Sequence, residues 1–426
     1  MSTERPLHEM VTSDGFTTGE WSEPENIRQL LPVEAYTSPD WLARENRNLF
    51  GDTWAFAGMD EDVKAPGDYK CVDSGDAALV LIRDAENRLR AFHNVCRHRG
   101  TRLLEGSGHI AGNVLSCFYH KWTYSLADGF PLVSVPHEQA VFPTLDKSCF
   151  SLHPARVATW MNLVFVHPDP DAVAFEDWLA DIPQMLGPFE PKQNRVHDPA
   201  ELVEVSDVVY RVRANWKIVT ENFIDGYHLP LLHAASLSDG GFAMQRWRAA
   251  GRHQAFYRPI KPGASQEKSY LGQYGDQPWP TIGGIPESYG ASYQWLFPNL
   301  GLFQTVTSWS TFHVIPVEPG LSLVHSRLRT VRIAVMPDEQ VLDSSDLPDH
   351  IVSAKGRCLS DAERKRPEPA MHPLKSGDVM LEDVYACEAV QRGLESRMSS
   401  VGALSMWEAP VAFFQRQILD NMRSSN

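Results

Sequence analysis

Residues 221–233 read ENFIDGYHLPLLH, and this stretch decides what the larger part of the chain is built to hold. It sets His228 and His233 five positions apart, with Asp225 one helical turn before the first. Imidazole binds iron, zinc, copper and nickel, and a nearby carboxylate favours the harder of these ions. Residues three apart share a helix face, so Asp225 and His228 point the same way on a helix. Positions five apart do not, and Pro230 between the histidines disturbs regular helix. A kinked or π-bulged helix end is expected to turn both rings toward one ion. Two buried histidines satisfied by backbone groups are the alternative that these residues alone leave open.

Around this stretch lies a chain of 426 residues, long enough for two or three domains. With 43% hydrophobic and 22% charged residues its composition is that of an ordinary globular protein. The formal net charge of −15 argues against a nucleic-acid partner, which selects a basic face. It suits a solvated acidic surface or a basic redox partner. No apolar run reaches membrane-helix length, and the opening MSTERPLHEM lacks an apolar signal core. A cytoplasmic protein without membrane association is expected. Six cysteines (Cys71, Cys96, Cys117, Cys149, Cys358 and Cys387) are too few for a disulfide scaffold, so clustered Cys and His point to metal.

Residues 1–30 are expected to form a polar arm, and 31–50 a helix after Ser38-Pro39, with Ser38 capping and Pro39 in the first turn. From 51 to 170, short apolar runs alternate with Gly, Asp and Pro turns, the rhythm of a small antiparallel β domain. A helix and linker are expected over 171–200, a strand over 201–214, and a long loop over 259–290. Three strands (292–306, 310–317 and 321–335) follow, then a polar stretch at 338–376 and helices over 377–398 and 406–422. The expected domains are therefore an N-terminal arm and helix (1–50), a β domain (51–170) and a larger domain (171–426) that the N-terminal part joins.

Within the β domain stands Cys96-Arg97-His98, then 18 residues, then Cys117-Phe118-Tyr119-His120. Two cysteines and two histidines suit a closed zinc site. Each half, however, donates one thiolate and one imidazole from its own loop. That division matches a Rieske [2Fe–2S] cluster, in which two cysteines hold one iron and two histidines the other. Zinc is its rival.

NVCRHRG at 94–100 and CFYHKW at 117–122 resemble the cluster-binding loops of Rieske proteins, and ENFIDGYHLPLLH resembles the iron-binding segment of the Rieske non-heme iron oxygenases. The resemblance to this aromatic-ring-hydroxylating oxygenase α-subunit family extends from about Leu31 to the C-terminal helix. It takes in Asn215–Lys217, Phe297–Asn299 and EDVYACEAVQRG at 382–393. Phe118 and Lys121 depart from the Pro and Gly common in the family. The resemblance implies an α+β fold: a small antiparallel Rieske domain, and a catalytic domain whose antiparallel sheet, of helix-grip or START-like type, is covered by helices. It implies cluster ligation by Cys96, His98, Cys117 and His120. It further implies a mononuclear Fe(II) held by His228, His233 and a downstream carboxylate. Asp383 falls where the family places that carboxylate, with Glu382 and Glu388 as competitors. Asp225 then bridges to His98 or His120 of a neighbouring subunit, which implies a homotrimer. A small β subunit is a further possible component.

The implied function is that of a terminal oxygenase. It takes electrons from an NAD(P)H-dependent reductase, directly or through a ferredoxin, and O2 as co-substrate, and it oxidises a small organic molecule. Phe223, Tyr227, Phe242, Trp247, Tyr289, Tyr293, Trp295, Phe303, Trp309 and Phe312 are dense around the expected pocket. They suit a planar aromatic ring or, by cation–π contact, a quaternary ammonium group, and the filling of a β-sheet core accounts for most of them otherwise. Arg246, Arg248, Arg252 and Arg258 suit a substrate carboxylate, an acidic donor or a solvated face. Ring hydroxylation is the first reading, and oxidative N- or O-demethylation the second. A Rieske electron carrier and a zinc-stabilised binding protein are the readings from other classes.

Overall fold

A computed structural model describes residues 17–18, 27–186, 201–237, 246–260, 273–274, 277–283, 285, 290–345, 347–364 and 371–423. Most of the expected N-terminal arm (1–30), most of the 259–290 loop, and Phe242 and Tyr289 lie outside these. The chain divides into a large unit, residues 1–42 and 179–424, and a small unit, residues 43–178.

In the small unit a seven-stranded antiparallel sheet runs in the order Ala55–Met59, Leu163–His167, Pro154–Trp160, Leu89–His93, Ala77–Arg83, Asp68–Ser74 and Ser107–His109. A second sheet joins Leu132–Ser134, Thr123–Ser125 and Val114–Ser116. The central strand Ala77–Arg83 shows why the apolar run 77–82 has no polar alternation. Leu79 and Leu81 pack with Ala91, Val164 and Val166 on one face, while Val80 and Ile82 pack with Phe92 and the cluster loops on the other. Both faces are covered, so both parities must be apolar.

The large unit is built on a ten-stranded antiparallel sheet. Its main strands are β1 (Leu202–Val212), β2 (Arg246–Ala250), β3 (His253–Arg258), β4 (Ala291–Leu296), β5 (Leu300–Gln304), β6 (Ser308–Glu318), β7 (Leu321–Val331) and β8 (Ile351–Gly356). From Thr17–Thr18 at one edge the order is β2, β3, β4, β5, β6, β7, β1, β8, ending at Gln340–Val341. Two expectations change here. The run 292–306 is a hairpin rather than one strand, because it turns at Phe297–Asn299, where Pro298 has no N–H for the ladder. The polar stretch 338–376 contributes β8, which pairs with β1.

Helices α1 (Trp216–Ile224), α2 (Val379–Leu394) and α3 (Ala409–Arg423) pack over one face of this sheet. Phe414 of α3 meets Trp216, Trp295 and Phe297, and Phe223 of α1 stacks on Phe312 at 4.8 Å. Gly301 on β5 permits this approach, since a Cβ there would stand 2.7 Å from the Phe223 ring. Behind α1 the Glu221 carboxylate accepts from the Tyr36 hydroxyl at 2.7 Å and the Gln415 amide at 2.9 Å. The Gln415 carbonyl in turn accepts from the Leu30 N–H at 2.6 Å, so residues before the first domain boundary brace the helix that leads to the histidines.

Candidate metal centres

Helix α1 starts at Asn215, whose side chain accepts from the Lys217 N–H at 3.0 Å, and stops at Asp225, which has left helical backbone. It is neither kinked nor π-bulged, contrary to expectation. Asp225 Oδ1 instead accepts from the Tyr227 N–H at 2.6 Å, turning the chain into a new helical turn, Leu229–Leu232, with Pro230 where an N–H is dispensable. The turn carries His228 at its start and His233 at its end, and their rings lie 5.3 Å apart, centroid to centroid, at 68°. The third group comes from α2, capped by Asp378, whose side chain accepts from the Leu381 N–H at 2.7 Å.

Asp383 Oδ1 lies 3.1 Å from His233 Nε2 and 3.7 Å from His228 Nε2. Among the described residues, His228, His233 and Asp383 are the group whose ligand atoms lie within 4.8 Å of one another. His233 is fully buried, and its Nε2 has no hydrogen-bond partner. Such an atom costs about 1–3 kcal/mol unless something takes its lone pair, which a metal ion does. Burial pulls the His233 imidazole down, and the carboxylates of Asp383 and Glu382 outweigh it, holding the ring above its usual value.

Each imidazole is also held from behind. Asp225 Oδ2 accepts from His228 Nδ1 at 2.9 Å; the two do meet, but across the turn that follows the helix and not on a shared helix face. Glu382 Oε2 accepts from His233 Nδ1 at 2.8 Å. Glu382 therefore does not compete with Asp383; neighbours on a helix lie about 100° apart, and it reaches round to the ring. Glu388 turns away, accepting from the Arg213 N–H at 3.1 Å. Two contacts were not foreseen. Asn222 donates to Asp383 Oδ1 at 3.2 Å, and the Ser236 hydroxyl to Glu382 Oε2 at 2.6 Å. Asn222 was findable, since it precedes Asp225 by three and shares its helix face; Ser236 gave no signal.

In the small unit Cys96 and Cys117 are buried, and the rings of His98 and His120 lie 4.5 Å apart at 80°. His98 stacks on Trp122 at 4.7 Å and 11°, which leaves its buried Nδ1 without a hydrogen-bond partner. Tyr124 accepts from the Arg97 N–H at 3.0 Å and sits 3.3 Å from Cys96 Sγ. Burial pushes the Cys96 thiol up, and it pushes the Tyr124 phenol up as well. The two imidazoles lie together, as the histidine pair of a two-iron cluster would. Tetrahedral zinc would require all four ligand atoms to converge on one point, whereas the group whose ligand atoms converge among the described residues is the three-residue set of His228, His233 and Asp383. The remaining thiols, Cys71, Cys149, Cys358 and Cys387, are unpaired.

The aromatic residues separate by strand parity. Tyr293 and Phe303, and Trp295, Gly301 and Phe312, form the register rows on the helix side of the sheet. Phe223 meets Tyr293 at 6.0 Å, Trp295 at 5.2 Å and Phe312 at 4.8 Å. Trp309 points to the opposite face under Arg329, Tyr227 is exposed beside Trp407, and Trp247 packs on Phe413.

Comparison with known proteins gives the family. Residues 199–424 match the family model for the ring-hydroxylating α subunit, catalytic domain, and residues 53–145 the model for the Rieske [2Fe–2S] domain. The oxygenase subunit of glycine betaine monooxygenase from Chromohalobacter salexigens is 34% identical over 209 residues, 49% of this chain and 44% of that protein. The chloroplastic choline monooxygenase of Arabidopsis thaliana is 25% identical over 403 residues, 92% of this chain and 82% of that protein. The crystal structure of naphthalene 1,2-dioxygenase from Rhodococcus sp. with indole bound has the same fold. Its TM-score is 0.65 at 20% identity, over 93% of this chain and 95% of that one.

Proposed function

Since the chain belongs to the ring-hydroxylating α-subunit family, we propose that it is a terminal oxygenase whose substrate is a quaternary ammonium compound. The reaction is oxidative N-demethylation. This reverses the order of the two readings drawn from sequence. Ring hydroxylation becomes the alternative: relatives named for glycine betaine and choline match by sequence, the choline enzyme over 92% of this chain, whereas a chlorobenzene dioxygenase α subunit from Cupriavidus sp. is 33% identical over only 45% of it. The observation that carries the reading is the aromatic wall of Phe223, Tyr293, Trp295 and Phe312. It is joined to the metal site through Asn222, the residue before Phe223. A trimethylammonium group has no hydrogen to donate, so ring faces are what recognises it; a desolvated contact is worth about 2 kcal/mol.

Cys96, His98, Cys117 and His120 hold the [2Fe–2S] cluster, and His228, His233 and Asp383 hold the mononuclear iron. When bound, the first would supply electrons singly and the second would activate O2. Asp225 keeps the hydrogen on His228 Nδ1 and orients the ring. In a homotrimer it also reaches a cluster histidine of the next subunit. Electrons come from a reductase, directly or through a ferredoxin. Among the described residues no helix is long and apolar enough to cross a membrane, and the unpaired cysteines suit a reducing, cytoplasmic setting.

Hydroxylation of one N-methyl group by O2, two electrons and two protons gives water and an N-hydroxymethyl cation, which releases formaldehyde, a proton and the tertiary amine. The test incubates purified protein, a competent reductase and NADH with choline, glycine betaine, carnitine and benzoate, and measures formaldehyde and products. Formaldehyde with a matching tertiary amine is expected. A hydroxylated ring would restore the first reading, and two irons per chain with no turnover would indicate an electron carrier.

A further inference from the structure

The two imidazoles of the proposed iron site are backed by carboxylates in different surroundings. The Asp225–His228 pair is partly open to solvent, with side chains 15% and 17% exposed, whereas Glu382 and His233 are both 0% exposed. Glu382 Oε2 takes two hydrogen bonds, from His233 Nδ1 at 2.8 Å and from the Ser236 hydroxyl at 2.6 Å, while its Oε1 is buried without a partner. A carboxylate desolvated this far is expensive unless it does something specific.

We propose that Glu382 is the positioning residue for His233, with Ser236 as its support, and that this pair sets how tightly and in what geometry the mononuclear iron is held. As an acceptor, Glu382 keeps the hydrogen on Nδ1 and so leaves Nε2, 3.1 Å from Asp383 Oδ1, with its lone pair free for a cation shared with that carboxylate. The helix makes this economical. Adjacent positions 382 and 383 diverge by about 100°, so one turn of α2 delivers both a candidate ligand and the brace of a second one. Ser236 lies three residues beyond His233 and locks the brace from the other side. Asp225, on the wetter pair, is left for communication with another subunit.

This inference rests on the iron-site reading, so its test separates the two. The full protein, stripped of mononuclear metal by chelation with its cluster intact, is titrated anaerobically with Co(II), following affinity and the visible ligand-field spectrum. Wild-type protein that binds no Co(II) outside the cluster overturns the site itself. With wild type binding, E382Q is expected to lose roughly 10–100-fold in affinity and to show an altered spectrum. E382D is expected to recover part of the loss, and S236A to lose about fivefold, the worth of one hydrogen bond. The reduced cluster's EPR signal should be unchanged in all three. E382Q and S236A with wild-type affinity and spectrum would overturn the assignment. S236A carries the test alone if E382Q does not fold.

Discussion

The two proposed metal centres hold their imidazoles in opposite ways. In the small unit His98 lies against the flat face of Trp122 and His120 against Tyr119, 3.8 Å away. In the large unit His228 and His233 are each gripped at Nδ1 by a carboxylate. Aromatic backing fixes a ring's plane and adds no charge. Carboxylate backing fixes the tautomer and makes the imidazole a stronger donor to a cation. The first arrangement suits a centre that passes charge and changes little, the second one that must retain a dication while its other positions exchange.

The sharpest way to break the comparison is to remove one ligand from each centre. His233→Ala should abolish turnover and lower iron from about three to about two per chain while the cluster spectrum persists; Cys96→Ser should bleach that spectrum. Iron analysis with visible spectroscopy checks both, and a bleached His233→Ala protein would show that the centres are not independent. Next in size, Asp225→Asn should keep both metals yet slow reoxidation of the reduced cluster by substrate and O2 in single turnover. Unchanged kinetics would make Asp225 a brace like Glu382 and nothing more.

A smaller effect tests the helix behind the carboxylate-backed site. Burial raises the Glu221 carboxyl from 4.5 to about 7, and Gln415, Tyr36 and Lys217 only partly oppose it. The folded protein thus keeps this proton up to about pH 7, while the unfolded chain releases it near 4.5. Stability should therefore fall as pH rises between those values, by about 3 kcal/mol. Glu221→Gln should flatten that part of the denaturation profile. Smallest is Lys121, whose φ of +58° sits in the left-handed region at the cluster loop. Lys121→Gly should stabilise the small unit by about 1 kcal/mol, measured by thermal unfolding, with the cluster unaltered.

Legibility followed sequence distance. Cys96 to His120 fit on two loops of one small domain, so their spacing was readable as a division of thiolates from imidazoles, with zinc as its rival. His228 and His233 were equally visible, as was the alternation of β1. Asp383 stood among three acidic residues within seven positions, 382–388, and only the family pattern preferred it. Glu382 as a brace and the turn at Asp225 were out of reach, because each depends on a hydrogen bond whose partner is chosen by packing. Trp309 was grouped with the pocket although one residue of strand parity sends it to the other face.

The order of residues alone determined that two Cys/His loops and a two-histidine segment exist, since metal chemistry demands particular side chains at short, readable separations. The tertiary structure decided which of two adjacent carboxylates meets the metal position and which backs the ring. That choice is made by how α2 is laid against α1, through contacts such as the Gln391 side-chain carbonyl accepting from the Asn215 N–H at 3.0 Å, and no local pattern records such a packing.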